Sequence, residues 1–486
     1  MPFLALLLFF AGADDPAESL TQDLKKLVDV FVAVDREAAD PVAPDTALYQ
    51  GAIPAMLRTL DPHSVFFDPQ QYEQLKQMQN SESKGFGAIV SVLPGRVIVL
   101  QPMPGTPSEK AGLAAGDEIL AINGIALARL EADQLVQLLT EARQHQAVLD
   151  VRRPGNARLS RLTLTPELVQ TPSVDRAFGL APGIGYLRIT GFEGRTGPLV
   201  KETVEKLGGS NLKGLVIDLR NNPGGAVQAA VDTASLFLSP DQLIFSIKGR
   251  NSKPEEVRAP KLSQPYAFPV AILIDSKTAS AAEIVTGALQ DHDRASVLGE
   301  PSYGKGIVQN VFPLSGNSAV ALTIAFYYTP SGRSIQKPLL GGTLDAATRA
   351  LNGIFRTDAG RHVQGGGGIQ PDEVIYPRGL SPLAAVLDAS GALTNFASEY
   401  LQAHPPVDDN FEVTAAILDQ LQLFLSAHDI RPGIGDWLKD REWIQDRLKQ
   451  EVFNLTLGVS KGDEVEMRRD PVVRRAIQVL METKRP

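Results

Sequence analysis

PVAILIDSKTASAAEIVTGALQD, Pro269 to Asp291, is the stretch whose reading decides the fold. Pro269 to Ile274 is a continuous apolar run of strand length, the pattern of a strand buried on both faces. Asp275 to Thr278 is a polar turn. From about Ala279 to Leu289, apolar residues recur at helical spacing. A buried strand passing at once into a helix is the building unit of an α/β sheet. Ser280 stands at the corner, where backbone N–H groups and the positive end of a helix converge. Ser280 followed three residues on by Glu283 has the spacing of a capping box, so the stretch alone favours a helix cap. The other reading is a nucleophile, with an oxyanion site at the N–H of Ala281.

The same alternation extends to both sides. GIGYLRITGF (Gly183–Phe192) and KGLVIDLR (Lys213–Arg220) read as buried strands, and GPLVKETVEKLGG (Gly197–Gly209) as a helix closed by glycines. Residues 175–378 therefore form a mixed α/β core. Gly365 to Gly368 predicts a flexible loop within it. Residues 17–80 and 380–486 carry apolar residues three and four apart and read as helical regions. Residues 82–168 are β-rich, with one amphipathic helix in DQLVQLLTEAR (Asp133–Arg143).

A serine nucleophile needs a base. The chain has 6 histidines, and His292 and His362 are the two in the core block. His292 lies at the far end of the helix that Ser280 begins, roughly 15–18 Å away at 1.5 Å per residue. A Ser-His-Asp triad is poorly supported. Lysine can replace histidine when burial lowers its pKa. GEPSYGKGIVQ (Gly299–Gln309) offers Lys305 between two glycines, with Gln309 four residues on to hold the amine. The bland alternative for Lys305 is a surface turn. IDLRNNPGG (Ile217–Gly225) ends a buried strand in a glycine turn that gives the backbone room to approach a ligand. The N–H of Gly224 or Gly225 is the candidate second oxyanion donor; an ordinary turn is the alternative.

DLRNNPGG, TASAAEI and GKGIVQ, in that order, resemble the carboxyl-terminal processing (tail-specific) proteases. The separation of Ser280 and Lys305, 25 residues (305 − 280), matches that family. So do YYTPSGRSIQ (Tyr327–Gln336), GIQPDEVI (Gly368–Ile375) and LDPHSVFFDPQQYEQL (Leu60–Leu75). The resemblance implies a catalytic Ser280, a general base Lys305 and a supporting Gln309, in a core of crotonase-like shape. KGFGAIV (Lys84–Val90) and AAGDEILAING (Ala114–Gly124) resemble a PDZ domain inserted before that core. In such domains the loop Gly85-Phe86-Gly87 and the following Ala88 bind a terminal carboxylate, and the peptide adds as a strand. Phe86, Ile89, Leu135 and Leu138 are the expected pocket wall. The Gly-Pro-Gly-Thr turn usual after the groove helix is replaced by RQHQAVLD.

Other features limit the partners. The net charge of −9 and the absence of a basic run argue against nucleic acid. No cysteine is present, which removes disulfides and thiolate chemistry. No metal or cofactor is expected. Phe3 to Phe10 is wholly apolar and leads into Ala11-Gly12-Ala13, so residues 1–13 resemble an export signal without the basic start, and periplasmic or secreted location follows. That run is too short for a stable membrane span, which takes about 20 residues. Expected partners are proteins with exposed, apolar C-termini, and an adaptor or second copy at the C-terminal helices. A catalytically dead PDZ scaffold is the rival reading. An acyl-CoA enzyme on the same core is a third, disfavoured by the PDZ block.

Overall fold

The computed structural model describes residues 16–482 except 41, 80–81, 94, 131, 155, 157, 171, 251–252, 340–342, 345–347, 349–352, 378 and 405–406. Residues 1–13, with the expected export signal, lie outside the described residues.

The core is a six-stranded sheet. Its order is Val174–Ala181, Ile184–Ile189, Gly214–Asp218, Val270–Ile274, Ala295–Gly299, Glu373–Val374. The first pair is antiparallel and the rest run parallel. Side chains alternate between two apolar layers, as the strand period requires. Leu187, Ile189, Leu215, Ile217, Ile272 and Ile274 face the helices Thr196–Leu207, Val227–Ala234 and Ala281–Asp291. Ile184, Tyr186, Val216, Ala271 and Leu273 face the other way, against Met467, Val472, Val473, Ala476 and Leu480. The second layer is thus closed by the last two helices, Val459–Arg469 and Pro471–Glu482. The preceding helices, Pro382–Ala389, Ala392–Ala403, Ala415–Ala427 and Ile434–Thr456, form an apolar cluster of their own.

Two expectations need correction. The N-terminal region is not wholly helical, because Val65–Phe67 is a strand. It pairs antiparallel with Ala319–Tyr328 in a second, five-stranded sheet, Phe66 opposite Val320. Val-Phe-Phe suits a pleated, half-buried surface better than a helix end. Nor is the glycine run loose. Gly365, Gly366 and Gly368 are buried, and the N–H groups of Gly366 and Gly368 donate to the carbonyls of Ser334 and Ile335 at 2.6 and 2.8 Å.

Residues 88–164 form a separate sheet, ordered Ala88–Leu93, Arg96–Pro102, Glu118–Ile122, Ala147–Arg152, Leu159–Leu164, around the helix Ala132–Ala142. Its stem is the two-stranded pair Glu82–Gly85 with Glu167–Gln170. Among the described residues no helix is long and apolar enough to cross a membrane.

Candidate active site

Ser280 follows the strand Val270–Ile274 and caps the helix Ala281–Asp291. Its backbone is at φ 54° and ψ −117°. A non-glycine residue there is strained by roughly 1–3 kcal/mol and persists only where its surroundings hold it. Those surroundings are two cross-linked turns. Asp275 Oδ1 accepts the N–H of Thr278 at 3.0 Å and of Asn221 at 3.0 Å. The Thr278 hydroxyl donates to the Leu219 carbonyl at 2.8 Å, and the Ala279 N–H to the Asn222 carbonyl at 2.9 Å. The turn after Gly214–Asp218 is therefore bound to the turn that carries Ser280.

Gly224 is the point of closest approach. At φ 98°, a Cβ there would lie 2.7 Å from Ser280 Cβ and 2.9 Å from the Ala281 nitrogen. Only glycine fits. Its N–H, however, donates to Asn222 Oδ1 at 2.9 Å, so Gly224 is corrected as the free donor. The N–H groups of Ala281 and of the exposed Gly225 have no hydrogen-bond acceptor among the described residues.

Glu283 does more than cap. It is fully buried. Its Oε2 accepts the N–H of Ser280 at 2.8 Å and of Lys305 at 2.9 Å. Its Oε1 accepts the Gly304 N–H at 2.8 Å and the Ser302 hydroxyl at 2.5 Å. The Ser302 oxygen accepts from the Ile369 N–H at 2.6 Å, so its own proton points to Glu283. Burial pushes the Glu283 carboxyl up, and these four donors pull against that push.

Lys305 is half-buried, and that burial lowers its pKa, with the Glu283 charge opposing. Its ammonium makes no hydrogen bond or salt bridge among the described residues. Gln309 lies on the strand Ile307–Pro313 and donates its amide to the His63 carbonyl at 2.8 Å, not to Lys305. His63 lies 246 residues from Gln309 in the chain, so sequence proximity does not connect the two. It belongs to a turn in which Asp61 Oδ1 accepts the N–H of His63 and of Ser64 at 2.8 and 2.9 Å. Burial pushes the His63 imidazole down, the nearby Lys305 charge pushes it further, and Asp61 opposes. The signal available in sequence was the LDPHS run. His292 is excluded from the centre: its ring nitrogens meet Asp358 Oδ2 and the Leu243 carbonyl, each at 2.7 Å.

In the β-rich unit, Ala88–Leu93 is one of the edge strands of its sheet. The N–H groups of Phe86 and Gly87 have no acceptor among the described residues. A cavity beside them is lined by Gly85, Phe86, Gly87, Ala88, Val90 and Leu139 among others. The expected wall needs revision. Leu135 is 1% exposed within the unit's core, Leu138 is packed against that core, and Ile89 is 40% exposed on the strand's other face. Leu139 and Ala142 of the helix, with Arg143 in the turn just after it, line the cavity.

The family model for peptidase family S41 matches residues 183–347, and a PDZ-domain model matches 98–153. The carboxy-terminal-processing protease of Bartonella bacilliformis is 33% identical over 320 residues, 65% of this chain and 73% of that one. The chain belongs to peptidase family S41. The S41 relative CtpB of Bacillus subtilis, a carboxy-terminal processing protease, is 31% identical over 330 residues, 67% of this chain and 68% of its own. The solved photosystem II D1 C-terminal processing protease shares 26% identity, covering 76% of this chain and 91% of that one, with a TM-score of 0.42. The S41 model ends well before the C-terminal helices.

Proposed function

We propose that this S41 enzyme is a Ser-Lys endopeptidase that selects substrates by their C-terminal tails. Ser280 Oγ attacks the scissile carbonyl while neutral Lys305 takes its proton. Lys305 then gives that proton to the leaving amine, and water resolves the acyl-enzyme by the same route. The N–H groups of Ala281 and Gly225 stabilise the oxyanion. Gln309, anchored to His63 through its amide nitrogen, keeps its amide oxygen for the Lys305 ammonium. The observation that carries the reading is the single Glu283 oxygen that accepts from both Ser280 and Lys305. A structural cap needs only the first of those bonds.

In the same reading a tail carboxylate binds the N–H groups of Phe86 and Gly87, and the tail extends along the Ala88–Leu93 edge. Its last side chain, apolar, enters the cavity between Phe86, Val90 and Leu139. Location outside the cytoplasm is proposed from the apolar run Phe3–Phe10 and the lack of cysteine.

The test compares the wild type with Ser280→Ala and Lys305→Ala on an unfolded protein ending in apolar residues, and on the same protein with a charged tail. Products are mapped by mass spectrometry. Cleavage by the wild type alone, faster on the apolar tail, is the expected result. Binding without cleavage by the wild type favours the scaffold. Equal cleavage by all three returns Ser280 to the role of a cap.

A further inference from the structure

The turn Leu219–Gly225 is held from two sides. On one side Asp275 and Thr278 tie it to Ser280. The other side is a charged cluster built on Arg220. Asp218, 1% exposed, accepts the backbone N–H of Arg220 at 2.9 Å. The same carboxylate accepts the guanidinium at 3.0 Å from Nε and 2.6 Å from Nη2. The Tyr186 hydroxyl donates to Asp218 Oδ2 at 2.9 Å. The remaining arm of the guanidinium, Nη1, reaches Asp470 Oδ2 at 2.7 Å.

Asp470 lies 250 residues further along the chain, outside the part matched by the S41 family model. It divides its two oxygens between two tasks. Oδ1 caps the last helix, accepting the N–H groups of Val472 and Val473 at 2.8 and 3.0 Å. Oδ2 holds Arg220. A cap alone needs one oxygen. The helix it caps lies on the sheet through Val472, Val473, Ala476 and Leu480, so Asp470 is anchored rigidly. A single charge-assisted hydrogen bond of this length is roughly twice as strong as a neutral one, and its acceptor here is fixed in place.

We propose that Asp470 is a positioning residue of the active centre, aligning the Leu219–Gly225 turn through Arg220 so that the Gly225 N–H faces the oxyanion. The C-terminal helical region is then part of the catalytic unit. This inference rests on the Ser280 reading above. Misplacing a donor by about 1 Å is enough to cost up to 100-fold in rate.

Two variants separate the tasks of Asp470. Asp470→Asn and Asp470→Ser both keep a capping oxygen and remove the acceptor from Arg220. Thermal unfolding of each variant verifies that the helix cap survives. Hydrogen exchange is followed on peptides spanning residues 219–226, and kcat and KM are measured on the apolar-tailed protein. We expect faster exchange in that turn, kcat down about tenfold or more, and KM unchanged, in both variants. Labelling of Ser280 by a fluorophosphonate, which needs the same oxyanion site, slows in step with kcat. Exchange unchanged in both variants overturns the proposal, as does faster exchange with wild-type kcat. A wild type that neither cleaves nor labels sinks the nucleophile reading and the catalytic half of this proposal with it. The exchange comparison still decides separately whether Asp470 holds the turn.

Discussion

The backbone N–H groups of Ser280 and Lys305 donate to one oxygen, Oε2 of Glu283, at 2.8 and 2.9 Å. Two segments that are 25 residues apart (305 − 280) are thereby set against each other by a buried carboxylate. Neither side chain is needed for the link. The register between the serine corner and the lysine loop belongs to the backbone.

That link makes Glu283→Gln informative. The variant keeps the shape but replaces one acceptor oxygen by an NH₂ facing N–H or O–H donors. Each orphaned buried donor costs about 1–3 kcal/mol. We expect a stability loss of about 2 kcal/mol or more in denaturant unfolding, together with a lower kcat. Wild-type values for both would show that the shared oxygen is incidental.

Burial lowers the Lys305 pKa below the ordinary lysine value. A general base works in its neutral form, so the sign is fixed. Below the lowered pKa, the neutral fraction falls tenfold per pH unit, and kcat/KM falls with it. The profile is read from about pH 9 to about pH 4 on enzyme verified as folded at each point. A flat profile rejects Lys305 as the base.

Gln309→Glu tests the neighbouring contact. A carboxylate cannot donate to the His63 carbonyl, so the anchor at 2.8 Å is lost. A negative charge beside Lys305 also favours its ammonium form. The acid limb of the kcat/KM profile should move to higher pH by about one unit or more. Gln309→Ala, which adds no charge, should lower kcat without that displacement. Coincident limbs for the two variants would show that residue 309 does not sense Lys305.

Tail binding is tested at Gly87. At φ 71°, a Cβ there would lie 2.4 Å from Thr106 Cβ and Cγ2. Gly87→Ala should distort the loop and weaken an apolar-tailed peptide by about tenfold, as a strain of 1.4 kcal/mol would. Fluorescence polarisation with that peptide measures the loss. Fluorophosphonate labelling of Ser280 without substrate should stay at the wild-type rate. Unchanged peptide affinity would remove the loop from tail recognition.

What the sequence determined by itself is local and periodic. The apolar run Pro269–Ile274 and the helical spacing after it specify a strand-helix corner with Ser280 at its apex, because burial on both faces leaves few other places for such a run. The order of DLRNNPGG, TASAAEI and GKGIVQ identified the family. Tertiary structure decided what depends on pairing between distant segments. Nothing near Gln309 in the chain says that it meets the carbonyl of His63; strand Val65–Phe67 joining the sheet of Ala319–Tyr328 brings them together. Glu283 looked like half of a capping box, and its contacts to Ser302, Gly304 and Lys305 exist only once the loop folds back over the helix. The PDZ helix shows the same limit: an amphipathic pattern reveals that one face is buried, but not that Leu135 enters the core while Leu139 borders the cavity. Asp470 is legible as a helix cap before Pro471. Its hold on Arg220 is not, because that contact arises from how the last helix lies across the sheet.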